Sequence, residues 1–234
     1  MKKALFLGVV ALAILAGCNS SSSKQETQTD SIAAPVDTFD VQAFNSFTTS
    51  DLNTFELKGH VKKVVETTGK EETVVIVFSK EGEAKVVKFL ESDGVIGRDK
   101  NNRISTIGTI IDESKEGSYY RFEYNKDGYV TALDQVIPNY FMTYRTENKK
   151  LNENGWPTEY FSQGGEGDFM NRTTESVTYQ EIDEVGNWTS KHSVGESKTT
   201  EIDIEGNETV TERRKIDETT TRNITYYTRE ELGL

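Results

Sequence analysis

The chain has 234 residues, a formal net charge of −12 and only 34% hydrophobic residues. The acidic excess argues against a nucleic-acid partner and against docking on anionic lipid, because both depend on patches of Lys and Arg. The hydrophobic content is low for a chain with one thick core. Thr, Tyr and Val recur along much of the sequence, which favours half-exposed β-strands.

The first residues in chain order have the pattern of an export signal. Lys2 and Lys3 precede an apolar run over residues 4–16, and Leu15-Ala16-Gly17-Cys18 follows. A basic start, an apolar run of about 7–15 residues and small residues before the cleavage point are typical of a secretory signal. A membrane-spanning anchor is the alternative, but spanning takes about 20 apolar residues. We predict a signal peptide over residues 1–17.

Cys18 is the only cysteine of the chain, so no second cysteine exists for a disulfide or a thiolate metal site. Its place after Leu-Ala-Gly resembles the bacterial lipobox, which implies acylation of Cys18 with palmitate-type chains and a lipid bilayer as partner. Asn19 after the cysteine resembles the pattern that is sent to the outer membrane of diderm bacteria. The side of that membrane on which the protein would face stays open.

Residues 18–38 form the next predicted segment, and they are rich in Ser, Gln, Thr and Asp. Such a stretch cannot bury enough apolar surface to offset the entropy of ordering it. We predict a disordered tether there. Residues 39–54 carry large apolar side chains at roughly helical spacing, which predicts a short helix or an irregular lead-in. From Phe55 the pattern becomes β, so residues 55–234 are the predicted β-domain.

A recurring turn signal organises the β-domain. Each copy has an apolar residue, then Asn or Asp, two free positions and Gly. A type I turn favours Asn, Asp or Ser at its first position, and a following left-handed residue forms a G1 bulge, a common hairpin connection. Each copy therefore predicts one hairpin tip. Four clear copies and two fainter ones occupy residues 124–131, 151–158, 182–189, 202–209, 78–82 and 98–105.

The spacing of the tips, from 20 to 31 residues by residue number, suggests stacked hairpins rather than one sandwich core. We predict an all-β fold, an antiparallel meander of tandem β-hairpin repeats that forms an open, twisted, largely single-layer sheet. Because open sheets need protected edges, Thr219–Tyr227 is a candidate capping strand.

The motifs Tyr124-Asn125-x-x-Gly128-aromatic and Asp183-x-x-Gly186-Asn187-Trp188-Thr189 resemble those of YD (RHS-type) and MORN-like hairpin repeats. The resemblance covers roughly residues 55–216, and the Tyr-Asp pair itself is degraded. It implies a repeat-built β-scaffold with binding, structural or toxin-delivery roles among the suggestions for such proteins. It supplies no catalytic residue.

No residue pattern defines a catalytic, cofactor or metal site. His60 and His192 are the only histidines, and neither accompanies a Gly-x-Ser-x-Gly nucleophile motif or a zinc-binding cluster. Strict alternation along the strand predicts that His192 shares a face with Trp188 and Ser190. We therefore expect a protein without enzymatic activity and without a cofactor.

Three aromatic residues, Tyr129, Trp156 and Trp188, follow three of the tips at equivalent positions. They form a ligand-stacking ladder if their rings face outward, or the core between hairpins if they face inward. We expect an envelope lipoprotein that acts as a binding or structural module for a protein or glycan. The alternatives are a carboxylate-dependent glycan-active enzyme and an immunity-type partner of another envelope protein.

Overall fold

A computed structural model describes residues 39–89, 92–108, 117–137 and 142–234. The contacts divide the chain into residues 1–39 and residues 40–234. The predicted signal peptide, the predicted lipid attachment at Cys18 and the predicted tether all fall within residues 1–38, outside the described residues. The predicted lead-in contains two short helices, α1 (Val41–Asn45) and α2 (Ser50–Thr54), and both belong to the same unit as the strands.

The other regular elements of the described chain are strands, apart from one C-terminal turn of helix, α3 (Arg229–Leu232). The strands are β1 (Val61–Thr68), β2 (Glu71–Phe78), β3 (Ala84–Phe89), β4 (Ser92–Arg98), β5 (Ile104–Gly108), β6 (Tyr119–Tyr124), β7 (Val130–Ile137), β8 (Met142–Leu151), β9 (Pro157–Glu166), β10 (Phe169–Ile182), β11 (Trp188–Ile202) and β12 (Glu208–Tyr226).

The strands close into an antiparallel barrel, and the predicted open sheet is wrong. Each strand pairs with its neighbours in the chain, and β1 also pairs with β12, from Val61 opposite Tyr226 to Thr68 opposite Thr220. Most of Thr219–Tyr227, the segment predicted to cap an edge, instead pairs with β1 and closes the barrel. We call this pairing of β1 with β12 the seam. Turn signals report on neighbouring strands only, so they could not reveal a pairing between the two ends of the β-domain.

The hairpin tips have the geometry that the turn signal predicts. At Asn125, Asn152, Asp183 and Asp203 the backbone N–H donates to the carbonyl four residues later, and the glycine N–H donates back to the Asn or Asp carbonyl. Those glycines have φ between +78° and +91°. The two fainter copies, which begin their turns at Ser79 and Asp99, have the same hydrogen bonds. In the second of them Asn102 (φ +60°) occupies the position of the glycine.

Five of these six tips lie at one end of the barrel, which we call the helix end. There the Thr49 hydroxyl of the lead-in donates to the Gly82 carbonyl (2.7 Å), and Arg98 pairs with Asp51 of α2 (2.7 Å). The Asp203 tip lies at the opposite, far end, because a single 15-residue strand, β11, separates it from the Asp183 tip. The Ser79 and Asp99 tips are separated by the same number of residues, but two short strands, of six and seven residues, lie between them. The chain therefore returns to the same end of the barrel.

The apolar core occupies one side of the barrel. It joins Leu52 of α2 and the segment after it to inward-facing residues of β1–β5, among them Val64, Ile76, Val87 and Ile107. All five side chains are nearly inaccessible to solvent. The inward positions of β8–β12 are mostly polar. Burying apolar side chains on the short strands is what fixes the lead-in across the helix end.

Candidate functional site

A cavity of about 250 Å³ opens at the helix end, between the lead-in and the hairpin tips. We call it the tip cavity. One wall comes from residues 46–58, and the other comes from the tips after β6, β8 and β10. Its lining is Ser46, Thr48, Asn53, Glu56, Leu57, Lys58, Tyr129, Glu153, Asn154, Gly155, Trp156 and Asn187.

The tips bring two of the three predicted aromatic residues into this cavity. Tyr129 and Trp156 each follow a tip, and the two tips are neighbours at the same end of the barrel. A Cβ atom at Gly155 would collide with the Tyr129 ring, so glycine lets that ring lie against the tip backbone. Tyr129 is partly exposed, whereas Trp156 is buried and packs on Tyr179 with centroids 4.9 Å apart.

Trp188 lies in the interior and does not line the tip cavity. Its side chain has no exposed surface, and its ring centroid lies 5.8 Å from that of Tyr179. The guanidinium of Arg222 stacks 3.5 Å from the Trp188 ring centroid. A continuous outward ladder of the three rings is therefore absent, and Tyr129, which is partly exposed, is the one of the three that is not buried.

Glu56 contributes an oriented carboxylate to the cavity wall. Its backbone has φ of +60°, a conformation that non-glycine residues rarely adopt and that clusters at functional sites. Its Oε2 accepts a hydrogen bond from Nε1 of the interior residue Trp188 (2.7 Å), and this bond fixes the orientation of the carboxylate. The sequence Phe55-Glu56-Leu57 resembles an ordinary strand start, so no sequence signal distinguished Glu56.

Asn187 ties the two walls together. Its Oδ1 accepts from the Lys58 backbone N–H, and its Nδ2 donates to the Lys58 carbonyl, both at 2.8 Å. The same Nδ2 donates to the Tyr226 hydroxyl (2.7 Å), which in turn donates to the Asp183 carboxylate. The cavity is thus held open by hydrogen bonds rather than by loose surface contacts.

A buried ion pair lies beneath the cavity, across the seam. Arg222 Nη2 lies 2.6 Å from Glu66 Oε1, and both side chains are largely buried. Burial raises the pKa of Glu66, but the charges of Arg222 and Lys191 and the hydrogen bond from Arg222 together outweigh it, so the pKa lies below the usual value. Burial also raises the pKa of Tyr160 and Tyr179, so both phenols are neutral at physiological pH.

The two histidines lie outside the tip cavity. His60 stacks on Phe47 with centroids 4.1 Å apart, its Nδ1 is buried without a hydrogen bond in the described part of the chain, and burial lowers its pKa.

His192 lies 3.3 Å from Asp217. The prediction that His192 shares a face with Trp188 is wrong, because β11 bulges between Trp188 and Ser190. Lys191 takes that place, 4.6 Å from the Trp188 ring centroid.

Two further features are absent from the described residues, a cluster of metal-binding side chains and a helix that could span a membrane. Among residues 39–89, 92–108, 117–137 and 142–234, no group of three His, Cys, Asp or Glu side chains is arranged to hold a metal ion. No helix in those ranges has the length and apolar character needed to cross a membrane.

Comparison with known proteins adds no assignment: no protein-family model matches the chain, and no curated protein matches it in sequence.

Proposed function

We propose that the protein is a saccharide-binding module, anchored to the outer membrane of a diderm bacterium through acylated Cys18, and that a sugar ring occupies the tip cavity. The observation that carries the proposal is the meeting of an accessible Tyr129 ring with fixed polar groups in one cavity. Aromatic rings offer an apolar face, and a few placed polar groups give orientation.

The size of the cavity limits the ligand. At about 250 Å³ it is smaller than the roughly 300–1,000 Å³ of sites that enclose drug-sized molecules. We therefore propose recognition of one terminal ring of a glycan rather than a long internal stretch. Asn154 and Glu153, at the exposed tip after β8, would contact the hydroxyl groups that point away from Tyr129.

The anchor and the site together support a role at the cell envelope. The lipobox resemblance supports attachment through Cys18, and the Ser-rich residues after it support a spacer between the membrane and the β-domain. The acidic charge of the chain supports a glycan or protein partner over an anionic lipid surface. The repeat resemblance supports a scaffold that presents a binding surface.

The test is a glycan-array screen of the mature chain, followed by calorimetric titration of the best saccharide. We expect Tyr129→Ala to weaken binding at least tenfold, with Tyr119→Ala, a partly exposed tyrosine of β6 outside the cavity, as the matched control. No saccharide binding by the unmodified protein, or equal binding by the Tyr129→Ala variant, rejects the proposal.

A second candidate is a glycan hydrolase, favoured by the two carboxylates, Glu56 and Glu153, that line the same cavity. Paired carboxylates about 5–10 Å apart carry out glycoside hydrolysis. Release of new reducing ends from the bound glycan, abolished by Glu56→Gln while binding persists, supports hydrolysis. Binding without turnover supports the module alone.

A further inference from the structure

The far end of the barrel contains a second cavity, formed by the inward faces of β8–β12. Two adjoining spaces, of about 410 and 230 Å³, share Thr173, Ser197 and Arg214 in their walls. We call them together the far-end chamber. It is at the opposite end of the barrel from the tip cavity, so it is separate from the proposed saccharide site.

Small inward-facing residues create this space. Strand register aligns Ser162, Thr173 and Ser197 in one row across β9–β11, and Gly164, Asn171 and Thr199 in the next row. In the row on the other side, Gly195 lies beside Glu175. Where inward side chains are this small, a barrel cannot fill its interior and leaves a cavity.

Hydrogen bonds between neighbouring strands fix the chamber wall. The Thr173 hydroxyl donates to Ser197 Oγ (2.9 Å), and the Thr199 hydroxyl donates to Asn171 Oδ1 (2.7 Å). Thr146 and Ser162 share a hydrogen bond of 2.8 Å on β8 and β9. The wall therefore offers several oxygen atoms at fixed positions, which suits a ligand rich in N–H donors.

The charges in the chamber are predominantly negative. Glu175, Glu212 and Glu218 line it against a single cation, Arg214, whose guanidinium lies 3.2 Å from Glu218. Within the described residues, the carboxylates of Glu175 and Glu212 have no hydrogen bond or ion pair. The ammonium of Lys191 lies deeper, 4.6 Å from the Trp188 ring centroid. Burial and the charge of Glu218 raise the pKa of Glu175, and the charge of Lys191 partly opposes them.

An aromatic ring completes the chamber. A Cβ atom at Gly164 would collide with the Tyr144 ring, so the ring lies directly against the backbone of β9. Tyr144 is also part of the chamber wall. Carboxylates combined with an aromatic face are the groups that recognise organic ammonium ions.

We propose that the far-end chamber is a second ligand site and that it takes a small aliphatic amine, with Glu175 facing its ammonium group and Tyr144 its carbon chain. The hydroxyl and amide oxygens of β9–β11 accept the remaining N–H donors of the ammonium group. A neutral molecule of the same length lacks the attraction to Glu175 and Glu212.

The test uses 1,4-diaminobutane as the probe and 1,4-butanediol as its neutral isostere, both titrated calorimetrically into the mature chain. We expect the diamine to bind and the diol to give no measurable heat. We expect the variant Glu175→Gln/Glu212→Gln to bind the diamine at least tenfold more weakly. Far-UV circular dichroism and thermal unfolding establish that the variant is folded.

A matched control removes two negative charges away from the chamber, by Asp127→Asn at a helix-end tip and Glu230→Gln in α3. Both side chains are exposed, and this variant should bind the diamine like the unmodified protein. The proposal is overturned if the diamine does not bind, if the diol binds equally well, or if both charge variants lose affinity by the same factor. Failure of saccharide binding at the tip cavity would leave these outcomes unchanged.

Discussion

At the scale of single residues, two glycines of the hairpin tips differ in what an added Cβ atom would do. At one it would strain only the backbone, and at the other it would also collide with a side chain. Gly128 and Gly155 occupy equivalent positions and have φ of +86° and +78°. Nothing lies within 4 Å of a Cβ at Gly128, whereas the Tyr129 ring occupies that position at Gly155. The first glycine is required only for its backbone conformation, and the second also makes room for a side chain of the tip cavity.

We predict that Gly128→Ala lowers the free energy of unfolding by about 1–2 kcal/mol, the cost of a left-handed alanine. Gly155→Ala should lower it by roughly 1–3 kcal/mol more, because the Tyr129 ring must move. Urea denaturation of both variants measures the difference. Equal losses would mean that the Tyr129 ring does not lie against Gly155.

The buried pair of Glu66 and Arg222 should give stability a dependence on acid pH. Because the pKa of Glu66 is lowered in the folded protein, its ionised form stabilises the fold above the unfolded pKa of about 4.3. That contribution is lost as the pH falls through the folded pKa. The folded protein should therefore weaken on the acid side partly through this one carboxyl.

We predict that Glu66→Gln lowers the free energy of unfolding at pH 7 by about 3–5 kcal/mol, because Arg222 stays buried without its partner. The variant should also show a shallower loss of stability between pH 5 and pH 2. Glu83→Gln, which breaks the exposed pair with Lys85, is the control and should cost less than about 1 kcal/mol. Identical acid slopes for Glu66→Gln and the unmodified protein would contradict the prediction.

At the scale of elements, a few polar side chains add to the apolar core in attaching the lead-in and the segment after it to the barrel. Asp51 of α2 accepts from Arg98 and from the Ala84 backbone N–H, and Asn187 clamps both backbone groups of Lys58. These contacts hold α2 and the segment that follows it against the strands, and residues 40–54 belong to the same unit as the strands.

We predict that Asn187→Asp lowers the free energy of unfolding by about 3 kcal/mol, since it removes two donors and buries a charge. It should also release residues 46–58, seen as faster tryptic cleavage after Lys58. Asn207 holds the equivalent position at the exposed far-end tip, so Asn207→Asp is the control, with little effect expected. Similar cleavage rates for the two variants would argue against the clamp.

The sequence predicts the hairpin tips well and the faces of the strands less well. Asn or Asp followed by Gly three positions later determines a turn by itself, because both residues act on local backbone. The side on which His192 lies depends on a bulge that has no marker in Trp188-Thr189-Ser190. Likewise, the sequence places Tyr129 and Trp156 after tips, but their meeting in one cavity depends on which tips share an end of the barrel.

At the scale of the whole molecule, the closed barrel has no edge at β1, in contrast to the predicted meander. We predict that all backbone amides of residues 63–68 exchange with deuterium as slowly as those of residues 74–77 in β2, because β1 is paired on both sides. Residue-resolved exchange measures this. Fast exchange at alternate residues of β1 would contradict the closed barrel, because it would mean that one side of β1 is unpaired.

The closure of the barrel could not be predicted from the sequence, because the residues that pair across the seam are far apart in the chain. Arg222 and Glu66 are separated by 156 positions, and each alone resembles an ordinary charged residue of an exposed strand face. Glu56, Trp188 and Arg222 likewise come from three separate segments. Local patterns therefore predict the strands and turns, while the seam and both cavities arise only from long-range register.

The seam also has a consequence for the order of events during biosynthesis. The first strand of the barrel has its second partner only in β12, which ends at Tyr226. Hairpins can form as they are made, yet the barrel closes only after β12 has left the ribosome. Until then β1 offers a free edge and Glu66 lacks its counter-ion, so an unfinished chain is exposed to mispairing.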